Sequence, residues 1–418
     1  MRVQSILNRC YRHKSFVYSS FCWERIGKKE SLVVQIEPRR NGVAECSTCG
    51  QSASVYDHRD ERLFAFVPLW NIPVYFRYRM RRVNCPEHGV RIERIPWADG
   101  KSHVTKPFQL FLAKWARKLS WKETAESFGT TWDNVFRSVK AIVEYGLQRR
   151  DLDGVTAIGV DEFQFGKGHQ YLTVVYQINV GMRRLLFVGQ GRKAKTLLRF
   201  FREFGKERSA RLMFVCSDMW QAYVKVIKKK ASAALHILDR FHIVQNLGKA
   251  VDKIRAAEIK YLAQNGYDDE VLKRTKYCFL KKEENLTDAQ RTKLADVLQY
   301  DLKSVRAYLL KESFQLFWDY KSPYWAEWFL KKWCARAMRS RLEPIKTFVR
   351  TLRKHQPLIL NWFKAKKEYS SGVVEGMNRK INLVTRKSFG FRSFDVLKIA
   401  LFHTMGDLPE PEFTHQFC

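Results

Sequence analysis

Long hydrophobic runs are absent from this sequence. No stretch approaches the roughly 18 apolar residues that a membrane-spanning helix needs. The first residues, MRVQSILNRCYRHKSF, carry charges but no apolar region typical of a secretory signal. We therefore expect a cytoplasmic protein with no membrane partner. Internal repeats are also absent, and the 9 cysteines form an odd, scattered set, which favours reduced thiols or metal ligands over disulfides.

Acidic residues are few relative to basic ones. The 418 residues include 76 Lys and Arg against 42 Asp and Glu, a formal net charge of +34. Residues 1–150 hold 27 basic and 14 acidic side chains and the remainder hold 49 and 28, so the excess runs along the whole chain. A hydrophobic share of 45% excludes wholesale disorder. Nucleic acid is the leading partner for so basic a folded chain; a generally basic protein is the plainer alternative.

Two matched motifs predict a structural zinc site near the N-terminus. CSTCG and CPEHG each contain a ligand, two spacers, a second ligand and a glycine, and the four ligands are Cys46, Cys49, Cys85 and His88. Four such ligands suit tetrahedral Zn²⁺ and leave no open position for catalysis. Unrelated buried thiols are the alternative, and His58 is either a substitute ligand or, as we favour, a loop residue.

The stretch between the two motifs has the alternation of a β-strand. In residues 74–83 (VYFRYRMRRV), an apolar face alternates with a face that carries Arg77, Arg79 and Arg81. These arginines are either a solvated strand face or contacts for DNA phosphates.

Residues 101–150 have the pattern of a helix-turn-helix domain. A helix over 108–118 is followed by a capping-box start at Ser120, a stop at Gly129, and a third helix capped by Thr130 or Thr131. Its N-terminal residues would enter the major groove, and the reading candidates are Thr131, Trp132, Asn134 and Arg137. A helical hairpin with no DNA role is the alternative.

From about residue 155, strands and helices are predicted in the order β-β-β-α-β-α-β-α. This is the order of the ribonuclease-H-like fold, a mixed sheet covered by helices. Asp161 follows the apolar run AIGV, and Asp218 ends the strand MFVCS. Acids at such positions favour metal binding, because a carboxylate closing an apolar strand needs compensation. Capping of the following helix is the structural alternative.

Two-metal phosphoryl transfer needs a third carboxylate. Glu375 is the best candidate, because it lies early in a helix after Ser370 and is the only acid between Ser370 and Phe394. Asp239 is a rival or a supporting group, and His242 either contacts the scissile phosphate or packs. Glu162 and Glu258 are weaker candidates.

These residues lie within motifs that resemble those of bacterial DDE transposases of the ISL-three insertion-sequence family. The matching segments are CSTCG, RRVNCPEHGVRIERIPWA, GVDEFQFGKGHQYLTVVY, SDMWQAY, LDRFHIVQNLGKAVDKIR and SGVVEGMNRKINLVTRKSFGFRSF. The resemblance implies a triad of Asp161, Asp218 and Glu375, two catalytic Mg²⁺ ions and a zinc-binding N-terminal module. His88 departs from relatives that have Cys there, but it remains an acceptable ligand.

The resemblance also implies an organisation and a reaction. The interval of 157 residues between Asp218 and Glu375 predicts a helical insertion. We expect a multidomain α+β protein with a zinc-binding domain (1–100), the helix-turn-helix domain (101–150), a core (151–262 and 366–418) and the insertion (263–365). It would act as a homo-oligomer that cuts and joins double-stranded DNA at the element's terminal repeats and at a target, with phosphates positioned by Arg379, Lys380, Arg386 and Lys387. A DNA-binding regulator without cleavage activity and a nuclease that cuts without joining are the alternatives.

Overall fold

The computed structural model describes residues 3–164, 170–365, 372–388, 390–391 and 393–412. The chain divides into two compact units. The first unit contains Met1–Asp151 and Asn382–Cys418, and the second contains Leu152–Ile381. The sequence had assigned 366–418 to the core as one piece, whereas residues from 382 onward group with the N-terminal part. The finer division into five segments stays a prediction. Ser370, and residues 165–169 of the GVDEFQFGKGHQYLTVVY motif, lie outside the described residues.

The first unit begins with α1 (Val3–Cys10) and a five-stranded mixed sheet. Its strands are β1 (Phe16–Ile26), β2 (Lys29–Pro38), β3 (Ser54–Leu69), β4 (Ile72–Cys85) and β5 (Gly89–Ile92). Their order is β1-β2-β4-β3, with β5 paired to β4; the β2–β4 pair is parallel and the other pairs are antiparallel. The apolar face predicted for β4 is buried, and the Tyr78 ring packs edge-on against Trp97 at 5.3 Å.

Three helices follow this sheet, as their local signals predict. They are α2 (Lys106–Lys118), α3 (Trp121–Ser127) and α4 (Trp132–Arg149). Ser120 and Glu123 form both hydrogen bonds of the capping box, and the Thr131 side chain accepts from the Asn134 N–H. The caps fix where each helix begins, so the turn between α3 and α4 is short.

The second unit contains a mixed sheet with helices between its later strands. The strands are β6 (Ala157–Gln164), β7 (Tyr171–Gln177), β8 (Arg184–Gln190), β9 (Phe214–Ser217) and β10 (Leu235–Leu238). The helices are α5 (Ala194–Phe204), α6 (Lys206–Ala210), α7 (Gln221–Lys230) and α8 (Arg240–Gln264). The sheet order is β10-β9-β6-β7-β8, antiparallel across β6–β7–β8 and parallel across β6–β9–β10. The element order is the predicted one with the short α6 added.

Residues 263–365 are helical, as the sequence predicts. They contain α9 (Lys276–Leu280), α10 (Asp288–Leu298), α11 (Lys303–Gln315), α12 (Pro323–Met338) and α13 (Glu343–Lys364). Glu258, on α8, is buried and accepts from the N–H groups of Lys303 and Ser304 at 2.8 and 2.7 Å, so it caps α11 rather than serving a metal. The Asn361 side chain donates to the His236 backbone carbonyl at 2.8 Å, which ties α13 to β10.

The chain ends with α14 (Gly372–Lys387) and α15 (Phe394–Met405). The helix α14 starts in the second unit, and its residues from Asn382 belong to the first. In the first unit, the Arg117 Nε donates to the His403 carbonyl at 3.1 Å and its guanidinium pairs with Glu410 at 2.7 Å. Within the described part of the chain, none of the helices is long and apolar enough to cross a membrane.

Candidate functional site

Three aspartates mark the ends of three neighbouring parallel strands. Asp161 lies in β6, two residues beyond the last residue that β6 pairs with β9. Asp218 and Asp239 directly follow the last residues of β9 and β10. The carboxyl ends of parallel strands meet at one edge of a sheet, so all three acids belong to the same edge.

Asp161 and Asp218 both lie in the electrostatic field of Asp239 and His242. Burial raises the pKa of Asp161 and of Asp218, and in both cases the charge of Asp239 raises the pKa further while His242 lowers it. The His242 Nε2 lies 4.0 Å from the nearest oxygen of Asp161 and 3.7 Å from that of Asp239. A site that disfavours ionised carboxylates in this way is stabilised by added positive charge, which a protonated His or a metal ion supplies.

All three aspartates also accept a hydrogen bond from the backbone, and Asp161 Oδ1 accepts from the Glu162 N–H at 2.7 Å. Asp218 Oδ1 accepts from the Trp220 N–H at 3.0 Å, and Asp239 Oδ1 accepts from the Phe241 N–H at 2.6 Å, at the start of α8. Each bond uses one oxygen of a carboxylate that has two. The capping role weighed against metal binding is therefore compatible with it.

The helix α14 contacts Asp161 through a residue that the sequence analysis missed. The Asn378 amide donates to Asp161 Oδ2 at 2.5 Å and accepts from the Tyr176 hydroxyl at 2.7 Å. Val374, on the same helix, packs so closely on Gly159 that a Cβ there would lie 2.5 Å from its Cγ2. The signal for Asn378 was its position three residues after Glu375, which puts both on one helix face.

Glu375 itself is not clustered with the two aspartates. Its carboxylate is 42% exposed and accepts from Arg379 at 2.7 Å. Among the described residues, only the cysteine cluster below brings three or more His, Cys, Asp or Glu ligand atoms within 4.8 Å of one another. The helix α14 therefore contacts Asp161 through Asn378. Glu375 lies one helical turn before Asn378.

A fourth acid, Glu162, directly follows Asp161 on β6. Burial, followed by the charge of Asp218, raises the pKa of Glu162 to about 7, while Arg192, 4.0 Å away, lowers it. The sequence had set Glu162 aside because successive strand residues alternate between faces. Even with this alternation, the charge of Asp218 still raises the pKa of Glu162.

Four predicted zinc ligands lie together in the first unit. The ligand atoms of Cys46, Cys49, Cys85 and His88 are all within 4.8 Å of one another, and His58 is outside this group. The Sγ atoms of Cys49 and Cys85 are 3.6 Å apart, as are the Cys85 Sγ and the His88 Nδ1. A tetrahedral zinc site with Zn–S bonds of about 2.3 Å has S···S edges of about 3.8 Å. The donor set therefore fits zinc.

The backbone around these ligands favours thiolates. The N–H groups of Cys49 and Thr48 lower the pKa of the Cys46 thiol to about 6. Gly50 and Gly89 have φ of +76° and +66°, the conformation predicted for the glycine after each ligand pair. The thiols of Cys46 and Cys85 are buried, so a bound ion would be shielded from solvent.

The three ribbon arginines have different environments. Arg79 is exposed, and Arg77 is half-buried and pairs with Glu24 at 2.7 Å. Arg81 is 6% exposed and pairs with the buried Glu93 at 2.7 Å, so its prediction as a phosphate contact was wrong. The physical reason is that a guanidinium held inside the sheet by a carboxylate has no surface to offer DNA.

The start of α4 is open to solvent. Thr131, Trp132 and Arg137 are exposed and Asn134 is half-buried. The Trp132 ring stacks on Phe136 at 5.4 Å, and Arg137 lies 3.6 Å from Asp133. The four predicted reading residues thus share one accessible helix end.

The four basic side chains predicted to position phosphates from α14 differ in their exposure and in their bonding partners. Lys380 and Arg386 are exposed, and Arg379 is exposed but pairs with Glu375. The Lys387 amine donates to the Arg117 carbonyl at 3.0 Å, in the last turn of α2. Burial lowers the pKa of Lys387. It therefore stabilises the end of a helix, a role that the basic run did not predict.

Comparison with known proteins agrees with these observations. The profile of a family described as transposase, of the DDE and ISL-three type, matches residues 158–401. The chain belongs to the ISL-three family of bacterial DDE transposases. It is 26% identical over 364 residues to the transposase for insertion sequence element IS1001 of Bordetella parapertussis, covering 87% of this chain and 88% of that protein. It is 28% identical over 409 residues to the transposase for IS1557 of Mycobacterium tuberculosis, covering 92% and 90%.

The family match spans both parts of the acidic site. In this transposase it starts before Asp161, includes Asp218 and Glu375, and ends within α15. The cysteine cluster lies outside the matched interval, in the N-terminal part of the chain.

Proposed function

We propose that this chain is the transposase of an insertion sequence, which binds the ends of its element and cuts and joins DNA. The observation that carries the proposal is that half-buried Asp161 and Asp218 lie at the same edge of the sheet, on adjacent parallel strands, beside an α14 anchored on Asp161. Membership of a transposase family, and relatives of similar length named as transposases, support it. The protein would work as a homo-oligomer on nucleoid DNA in the cytoplasm.

The sheet of the second unit supports a ribonuclease-H-like core. Three antiparallel strands followed by two parallel ones, in the order β10-β9-β6-β7-β8, bring the first and fourth strands together. These are the strands that carry the two aspartates. Polar groups at the carboxyl ends of such strands are where α/β sheets hold ligands.

Asp161, Asp218 and Glu375 would hold two divalent cations. The donor set fits Mg²⁺, which prefers carboxylate oxygens. When bound, such ions supply activation of the attacking oxygen and neutralise charge on the leaving oxygen. The hydrogen bond from Asn378 would fix the orientation of Asp161. Glu375 would have to release Arg379 before its carboxylate could bind a cation. Asp239 and His242 adjust the charge around both aspartates.

DNA recognition is assigned to the exposed end of α4 and to exposed arginines. Thr131, Trp132, Asn134 and Arg137 would read bases in the major groove. Arg79, and Arg77 more weakly, would contact phosphates beside a ribbon held by zinc, and Lys380, Arg386 and Arg379 would position phosphates from α14. Arg81 is left out of this set because its guanidinium is 6% exposed and pairs with Glu93. Lys387 is half-buried and keeps two further N–H donors, so it stays a candidate for phosphate contact.

Cleavage and joining of a duplex that carries the element's own ends tests this proposal. With Mg²⁺, the wild type should yield cut and joined products, whereas Asp161→Asn, Asp218→Asn and Glu375→Gln should bind the duplex and yield none. The control is Asp153→Asn, which removes a surface acid paired with Arg208 in the same unit and should leave cleavage intact. Products that are cut but never joined would indicate the nuclease instead.

A DNA-binding regulator is the second candidate. Glu375 is paired with Arg379, and among the described residues it does not form one metal-ligand group with Asp161 and Asp218; both observations favour the regulator. In that case wild type and Asp161→Asn should both saturate the duplex, and neither should cut it in the presence of Mg²⁺.

A further inference from the structure

The helix α12 presents an exposed aromatic surface. Tyr324, Trp325 and Trp328 are 68%, 52% and 43% exposed, and we call them the aromatic platform. The ring centroids of Tyr324 and Trp325 are 5.3 Å apart, and those of Trp325 and Trp328 are 6.0 Å apart. Three adjacent aromatic side chains left in water on one helix end are typical of a binding surface.

The packing of α12 does not use the platform. The opposite face buries Ala326, Leu330, Trp333 and Ala337, spaced as one side of a helix. The Trp333 indole N–H donates to the Leu310 carbonyl at 3.1 Å, which fixes this face against α11. The platform therefore remains available after the helix has packed.

Exposed lysines flank the platform in the sequence. Lys321, Lys331 and Lys332 are exposed. The Lys332 amine lies 3.8 Å from the centre of the Trp328 ring, a cation–π contact. Lys331 pairs with Glu327 at 2.7 Å, so Lys321 and Lys332 carry the local excess of positive charge. Lysine is depleted in protein–protein interfaces, whereas aromatic rings interleaved with cations suit nucleotides.

We propose that the aromatic platform binds unpaired nucleotides of DNA, with bases stacked on Trp325 and Trp328 and phosphates near Lys332 and Lys321. The inference rests on the proposed function, since DNA opened for cutting exposes unpaired bases. The platform belongs to the same unit as the acids, because α12 packs on α13 and α13 is bonded to β10, the strand that Asp239 follows.

Binding of a fluorescein-labelled oligothymidylate, followed by anisotropy, tests the proposal. The full chain carries Asp161→Asn throughout, so the measurement does not depend on cleavage. Trp325→Ala and Trp328→Ala should each weaken binding by roughly five- to 150-fold, and the Phe replacements should retain most of the affinity because they keep a ring. Lys332→Gln should lower the slope of log affinity against log salt by about 0.7.

The control is Trp70→Ala, which removes an 84% exposed Trp in the first unit, from a stretch without charges between Phe64 and Phe76. It should bind oligothymidylate as the parent does. Equal affinity of the parent and both Ala variants overturns the proposal. So does a change in subunit number by light scattering with unchanged affinity, which would make the platform a protein contact. Failure of cleavage in the wild type overturns the proposed function alone.

Discussion

The buried pair of Arg81 and Glu93 allows folding and DNA binding to be perturbed separately. The Glu93 side chain is fully buried and accepts from the Tyr78 hydroxyl, the Arg81 N–H at 3.0 Å and the Arg81 Nε at 2.8 Å. Arg81→Met leaves this carboxylate buried without its cation, which costs about 3–5 kcal/mol. Each kcal/mol lowers the melting temperature of a unit of this size by roughly 2–4 °C, so we expect a fall of about 6–20 °C.

Arg79→Met is the matched control on the same strand. Because Arg79 is exposed, its loss should change stability by no more than about 0.5 kcal/mol. If it contacts one phosphate, the slope of log affinity against log salt should fall by about 0.9. The double variant Arg81→Met/Glu93→Leu should recover much of the lost stability, because it removes both buried charges.

The assays are thermal unfolding by circular dichroism and titration of an end duplex at several salt concentrations. Arg81→Met should keep the wild-type salt slope at temperatures where it is folded. A variant that melts like the wild type but loses one unit of salt slope would refute the structural role and restore Arg81 as a phosphate contact.

Three further predictions concern the metal cluster, the pH dependence and Asn378. The purified protein should contain one zinc ion by atomic absorption; Cys85→Ala should contain none and His88→Cys should retain it, and an equal zinc content in all three would exclude the cluster as the site. Burial lowers the pKa of His236 to about 4 from an unfolded value of 6.5, so the unfolded chain binds more protons between these values and stability should fall as pH falls through that window. Urea unfolding of His236→Gln should depend less on pH there; an unchanged dependence would assign it to other groups. Asn378→Ala should reduce cleavage about 10–100-fold with end binding intact, whereas Asn382→Ala, exposed one turn later on α14, should cleave normally.

Local signals in the sequence were sufficient for much of the fold. The capping residues Ser120 and Thr131 and the apolar runs of the second unit act over a few residues, so their effect can be read without a structure. The grouping of Cys46, Cys49, Cys85 and His88 was also predictable, because two similar motifs repeat the same ligand spacing. The order of strands followed from the alternation of short apolar runs with helical segments.

Contacts between distant residues could not be predicted in this way. The arginines of β4 alternate as expected, but only the approach of Glu93 makes one of them internal. The register of β4 against β3 also shifts near this position, between His58 and Glu61. Lys387 bonds a carbonyl 270 positions away, and Asn378 bonds an aspartate 217 positions away. Periodicity specifies which face a residue occupies, but not which partner meets that face.

The division of α14 between the two units has a consequence for biosynthesis. The first unit includes Asn382–Cys418, and Arg117 is bonded there to His403 and Glu410. A ribosome makes these residues after Asp161, Asp218 and Glu375, so a nascent chain cannot complete its first unit before the acids exist. Premature termination within the second unit would release a protein deficient in both units, rather than an intact DNA-binding fragment that competes for the element's ends.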